Sequence, residues 1–183
     1  MTHPAVVLVG MPGVGKSSVG RRLGVRLGLA FRDSDDLVVA ATGRSVTDLF
    51  AESESTFRAA ETAAVVAALS DFDGVLALGG GSLLSTTVRD ALAASSAPVV
   101  LLRAALATLG ARVGDARTRP LLAADPAARL ATLAAEREPV YLAAADVTVE
   151  TDGRSVDDVA GLVLDATIGA TTPDPQPAQE ATP

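Results

Sequence analysis

Five short apolar runs, at residues 5–9, 29–32, 75–78, 98–102 and 147–150, alternate along the chain with stretches whose apolar residues recur every three or four positions. The runs predict strands. The longer-period stretches predict helices over 17–27, 36–41, 46–51, 54–69, 87–94, 104–113, 127–144 and 156–168. In the first helix Val19, Leu23 and Leu27 share a face, Arg21, Arg22 and Arg26 fall elsewhere, and Gly28 ends it. Gly43 breaks the second helix from the third, and Pro139 predicts a bend in the seventh. Apolar strands alternating with helices imply a parallel sheet covered on both faces, that is, a three-layer α/β fold. With no internal repeat, residues 1–168 are expected to form a single domain. Residues 169–183, rich in Thr, Pro, Ala and Gln, are expected to be a disordered tail.

Composition narrows the function classes. The chain has 183 residues, room for one full core. Its net charge of −7 leaves no basic footprint for nucleic acid or an anionic membrane, so any anion site must be built from a few placed arginines. There is no cysteine, which excludes disulfides and thiolate metal sites and fits a reducing cytoplasm. No apolar run reaches membrane-spanning length, and the first apolar stretch is used as a strand rather than as a leader. A cytoplasmic monomer is the expectation.

The strongest local signal follows the first strand. From Gly10 the chain reads G-M-P-G-V-G-K-S, a match to G-x-x-x-x-G-K-[ST] set between a strand and a helix. Gly10, Gly13 and Gly15 allow the loop to wrap with its N–H groups inward, and the following helix aims its positive end at the same point. The result is a polyphosphate cradle in which Lys16 bridges terminal phosphates and the Ser17 hydroxyl meets Mg²⁺. Lys16 is the only lysine beside fourteen arginines, so this position is one where a compact ammonium is kept.

Three other segments carry candidate chemistry. Asp33-Ser34-Asp35 stands where the second strand hands over to a helix; one of these residues is expected to cap that helix. Because carboxyl ends of parallel strands open on one crevice, Asp33 and Asp35 are also expected to face the phosphate loop, one toward Mg²⁺ and the other toward an acceptor hydroxyl. The third strand runs into Gly79-Gly80-Gly81, more glycines than a turn needs and suited to close approach of a ligand to backbone. Residues 112–125 combine Gly, Asp, Pro and three arginines, the composition of a basic lid. Arg58 with Glu61, by spacing alone, is an exposed i,i+3 surface pair.

The sole lysine lies in the phosphate loop, so the chain lacks the N-K-x-D motif of GTPase switches; the third strand ends in glycines, not in the acidic residues of motor ATPases. A compact kinase remains. The set G-M-P-G-V-G-K-S, D-S-D at 33–35, F-R-A-A-E at 57–61, L-G-G-G at 78–81, R-P-L-L at 119–122 and R-E-P-V-Y at 137–141 resembles the shikimate kinase family, in order and with similar spacing over residues 5–168.

That resemblance implies phosphorylation of the 3-hydroxyl of shikimate by Mg-ATP. It implies nucleotide binding by Gly13, Val14, Gly15, Lys16, Ser17 and Ser18, with Arg112 along adenine, Arg154 near the nucleotide, and Arg119 brought by the lid to the transferring phosphate. Ser17 would ligate Mg²⁺ and Asp33 would hold its hydration shell. Asp35 would accept the hydroxyl proton, Arg58 and Arg137 would clamp the carboxylate, and Gly79, Gly80 and Gly81 would receive the ring.

Two positions depart from the family pattern. Ser53 stands where a glycine is usual before Glu54, in a stretch one residue short. Residues 151–156 lack a proline usual beside adenine, which implies looser adenine packing. Two other readings compete: a gluconate-type sugar-acid kinase, and a nucleotide-binding regulatory protein derived from a kinase, although the base and both substrate arginines are intact here.

Overall fold

A computed structural model of the protein describes residues 3–113 and 126–168. The described strands are β1 (Val6–Val9), β2 (Ala30–Asp33), β3 (Gly74–Ala77), β4 (Val99–Arg103) and β5 (Val147–Glu150). They form one sheet in the order β2-β3-β1-β4-β5, parallel throughout. The three inner strands read VVLV, GVLA and VVLLR and are buried along nearly their whole length, while the edge strands AFRD and VTVE mix polar and apolar residues. Inner parallel strands are apolar on both faces because helices cover both; an edge strand has no such requirement.

The described helices are α1 (Lys16–Leu27), α2 (Ser34–Thr42), α3 (Val46–Glu52), α4 (Glu54–Asp71), α5 (Thr86–Ala94), α6 (Leu106–Val113), α7 (Pro126–Ala144) and α8 (Val156–Ile168). Every predicted element is present, with no end moved by more than two residues. Among helix pairs, α1 packs on α8, α4 on α5, and α6 on α7. The chain runs from β1 toward β2 in one direction and from β2 through β3 and β4 to β5 in the other. Right-handed crossovers therefore place α1 on the face opposite the later crossover helices. Pro139 lies inside α7, which continues past it to Ala144.

The main core is built on β1, β3 and β4 with Leu23, Leu83, Leu109, Leu130 and Leu133. A smaller cluster of Val38, Leu49 and Phe57 ties α2, α3 and α4 together, and Phe50 stacks on Phe57 with ring centroids 4.4 Å apart. This α2–α4 unit stands beside the carboxyl ends of β2 and β3. Ser53 serves as the hinge between α3 and α4: its hydroxyl accepts the Thr56 N–H at 3.0 Å as N-cap of α4, so the departure from glycine starts the helix with a side-chain cap. The segment 114–125, which holds most of the expected lid, and the expected tail at 169–183 lie outside the described residues.

Candidate active site

All the candidate residues that are described sit at the carboxyl edge of the sheet, around one cleft of about 920 Å³. It is lined by the phosphate loop, Asp33, Asp35, Arg58, Gly79–81, Arg112, Arg137 and Arg154. Convergence there follows from topology: β1 sits where the connections reverse direction, and loops from its neighbours open on the same crevice.

The phosphate loop joins β1 to α1. Gly15 is the N-cap of α1 at φ 103°, a conformation costly for any residue with a Cβ. A Cβ on Gly10 would lie 2.4 Å from the Leu102 carbonyl oxygen, so the loop's first glycine is required by the neighbouring strand β4. Lys16 Nζ donates to the Gly10 and Met11 carbonyls at 2.8 and 3.1 Å, which lays the ammonium across the mouth of its own loop.

Asp33 has two roles at once. Its Oδ1 accepts the Asp35 N–H at 3.1 Å as N-cap of α2, and its Oδ2 accepts the Ser17 hydroxyl at 2.6 Å. Capping and the approach to the phosphate loop thus coexist on the two oxygens of one carboxylate. Asp35 opens on the cleft, where water can reach it, yet protein surrounds it on the other sides. That burial, together with the charges of Asp33 and Glu61 and against the pull of Lys16, pushes its carboxyl up to about 6.

The triple glycine is the meeting point of the site, and the close approach there comes from side chains of the protein. A Cβ on Gly79 would lie 2.4 Å from Glu61 Oε1; on Gly80, 2.9 Å from Pro12 Cδ and 3.3 Å from Arg137 Nη1; on Gly81, 2.4 Å from Arg58 Nη1. Three consecutive residues therefore touch the phosphate loop, α4 and α7, and none has room for a methyl group.

Arg58 leaves the α4 surface to lie over the Phe50 and Phe57 rings, with its Nη1 donating to Glu61 Oε2 at 2.6 Å. Glu61 is buried, so the pair is not the surface pair that its spacing implies. Arg137 comes from α7 and is 4% exposed; its Nη1 donates to the Gly80 carbonyl at 2.9 Å, and its buried Nε meets no hydrogen-bond partner among the described residues. The Tyr141 hydroxyl, one turn further along α7, donates to the same carbonyl, and burial pushes its own ionisation up to about 12.

On the other side of the loop, Arg112 donates to the Thr151 hydroxyl at 2.8 Å and to the Thr151 carbonyl at 3.0 Å. The end of α6 is thereby fastened to the turn after β5, where Arg154 lines the cleft. Within the stretch 151–156 that departs from the family pattern, Ser155 caps α8, exchanging hydrogen bonds with Asp158. Arg119 lies outside the described residues.

Sequence reasoning missed Ser34, Glu61, Ser82, Tyr141 and Thr151. Ser34 is fully buried and accepts the Gly79 N–H at 2.7 Å; the buried Ser82 donates to Glu61 Oε1 at 2.7 Å. A serine between two aspartates and a glutamate one turn from an arginine look alike in sequence whether buried or solvated.

Residues 12–167 match the family model described as shikimate kinase. A shikimate kinase of Streptomyces avermitilis is 47% identical over 167 residues, covering 91% of this chain and 96% of that one. One from Mycobacterium avium is 44% identical over 154 residues, covering 83% of this chain and 86% of its own length. Among solved structures, the shikimate kinase of Acinetobacter baumannii in complex with shikimate superposes with a TM-score of 0.87 at 32% identity, covering 93% of this chain and 96% of that one. A gluconokinase of Sinorhizobium meliloti, at 21% identity and a TM-score of 0.60 over 91% of this chain and 93% of its own, shares the fold. With a family model spanning most of its length and relatives this similar over more than four-fifths of it, the chain belongs to the shikimate kinase family of ATP-dependent phosphotransferases.

Proposed function

We propose that the protein transfers the terminal phosphoryl group of ATP to the 3-hydroxyl of shikimate, giving ADP and shikimate 3-phosphate on the route to chorismate, as a cytoplasmic monomer. The observation that carries this reading is the junction at Gly80. One backbone segment touches Pro12 of the phosphate loop on one side and lies between two guanidinium groups, those of Arg58 and Arg137, on the other. In a chain of net charge −7, two arginines converging on one point mark a local anion site. The buried Arg137 Nε, which has no hydrogen-bond partner among the described residues, is a donor that a ligand carboxylate would satisfy. Small polyol acids offer that carboxylate together with a hydroxyl to be phosphorylated.

Each residue then has a defined task. Arg58 and Arg137 hold the carboxylate by forked hydrogen bonds. Asp35 takes the proton as the hydroxyl oxygen bonds to the terminal phosphorus and the bond to the bridging oxygen of ADP breaks; a carboxyl raised to about 6 is well matched to that exchange near neutral pH. The N–H groups of Gly13, Val14, Gly15, Lys16, Ser17 and Ser18 cradle the phosphates, and the Lys16 ammonium spans the terminal pair. Arg112 and Arg154 flank the nucleotide, and Arg119 from the lid meets the transferring phosphate.

Ser17 Oγ and Asp33 Oδ2, 2.6 Å apart beside Lys16, are the hard oxygen donors that Mg²⁺ takes along with water and phosphate oxygens, so the residues present fit the ion. Ser17 would hold it directly and Asp33 through its hydration shell. When bound, it supplies neutralisation of the phosphate charge.

The test is ADP release from Mg-ATP by the purified protein with shikimate, gluconate or no acceptor. Stimulation by shikimate alone supports the proposal. Stimulation by gluconate discards the acceptor and keeps the kinase; ATP binding with no stimulation by either would favour a regulatory protein.

A further inference from the structure

A continuous run of hydrogen bonds links the Asp33–Asp35 turn to Arg58. The strand pairing of β2 with β3 ends at Asp33 opposite Ala77, where the chain leaves the sheet for α2. Two residues on, the Gly79 N–H has no β2 backbone to meet, and the Ser34 hydroxyl takes its place at 2.7 Å, adding one side-chain rung to the ladder. The Gly79 carbonyl accepts the Ser82 N–H at 3.0 Å, Ser82 Oγ donates to Glu61 Oε1 at 2.7 Å, and Glu61 Oε2 accepts Arg58 Nη1 at 2.6 Å. Ser34, Ser82 and Glu61 are 0, 1 and 2% exposed, so no water can substitute in the run without a rearrangement. Ser34 adjoins Asp35 in the chain, and Arg58 ends the run. Its two termini are therefore the proposed proton acceptor and one arm of the proposed carboxylate clamp.

We propose that Ser34 and Ser82 are positioning residues which, through Gly79 and Glu61, fix the spacing between Asp35 and Arg58, and with it the separation of hydroxyl and carboxylate in the acceptor that the site turns over. This rests on the acceptor assignment made above. Neither serine lines the cleft; each acts by holding a group that does, Gly79 or Glu61. Buried hydrogen-bonded runs of this kind behave as a unit, because removing one member frees its neighbours as well.

The experiment is a double-mutant cycle on Ser34→Ala and Ser82→Ala, both smaller than the native side chain and free of new clashes. It is read as kcat and KM for shikimate at saturating Mg-ATP and as KM for ATP. Each single change is expected to lower kcat/KM for shikimate about tenfold, the effect of leaving a buried donor or acceptor unsatisfied. Part of that loss falls on the KM for shikimate, which a smaller folded fraction cannot raise, and the KM for ATP stays put. The double variant is expected to remain near the worse single one, not to reach the roughly hundredfold loss of independent sites. A wild-type protein inactive on shikimate overturns the acceptor assignment. An active wild type with unaffected single variants, with multiplicative losses, or with a KM for ATP that rises in parallel overturns the positioning role alone.

Discussion

Glu61 stands one helical turn from Arg58 on α4, and it receives the guanidinium at 2.6 Å from inside the protein, at 2% exposure. The arginine is held between this carboxylate and two aromatic faces, while the second carboxylate oxygen is held by Ser82. Removing Glu61 would free Arg58 and Ser82 together. Glu61→Ala is expected to destabilise the protein by roughly 2 kcal/mol or more and to raise the KM for shikimate, with Glu61→Gln milder on stability. Urea unfolding and steady-state kinetics check the two effects separately. An unchanged KM in a destabilised variant would show that Arg58 keeps its place without its partner.

The triple glycine separates stability from binding. A methyl group at Gly81 meets the guanidinium end of a long side chain, which can swing toward the cleft, whereas one at Gly79 meets a carboxylate pinned from two sides. Gly81→Ala is therefore expected to raise the KM for shikimate roughly tenfold, since it displaces a charge-assisted hydrogen-bond donor, and to lower the melting temperature less than Gly79→Ala does. Gly79→Ala is expected to cost about 1–3 kcal/mol by overpacking. Thermal unfolding that ranks them the other way round would contradict the contacts assigned to these two positions.

Asp35 is expected to make the protein free of metal and nucleotide less stable as pH rises. Its carboxyl ionises at about 6 in the folded chain against 3.8 ordinarily. Below 3.8 both folded and unfolded states hold the proton and nothing is lost. Above that, the unfolded chain releases it first, and the penalty is complete once the pH exceeds about 6. Asp35→Asn removes the penalty, so the variant should melt above the wild type at pH well over 6 and no higher than it below 3.8. The same variant should bind shikimate and lose turnover by about a hundredfold or more, the scale of a missing general base. Turnover near that of the wild type would leave Asp35 an orienting group only.

Ser17 and Asp33 share a hydrogen bond that a hard cation would reorganise. Ser17→Ala is expected to raise the Mg²⁺ concentration needed for half-maximal activity by roughly tenfold or more, and chelation of the metal should abolish transfer in the wild type. Titration of activity against Mg²⁺ at fixed ATP checks both. A variant with an unaltered Mg²⁺ requirement would remove Ser17 from the metal's ligands.

The sequence by itself determined the sheet, the helices and the phosphate loop, because those depend on signals local to a few turns. VVLV and VVLLR can only be buried strands, a loop that wraps inward can be read from Gly10, Gly13 and Gly15, and Asp33-Ser34-Asp35 stands where a helix needs a cap. It also set the candidate side chains in order along the chain through six short motifs. The tertiary structure decided what those side chains touch. Whether Glu61 is solvated or buried depends on Ser82 and on the absence of a Cβ at Gly79, eighteen or more residues away. Whether Gly80 faces a ligand or a neighbour depends on Pro12, Arg137 and Tyr141, which only the strand order brings together. Burial and the pairing of charges are properties of surfaces brought from distant parts of the chain, and periodicity along the sequence carries no record of which surfaces meet.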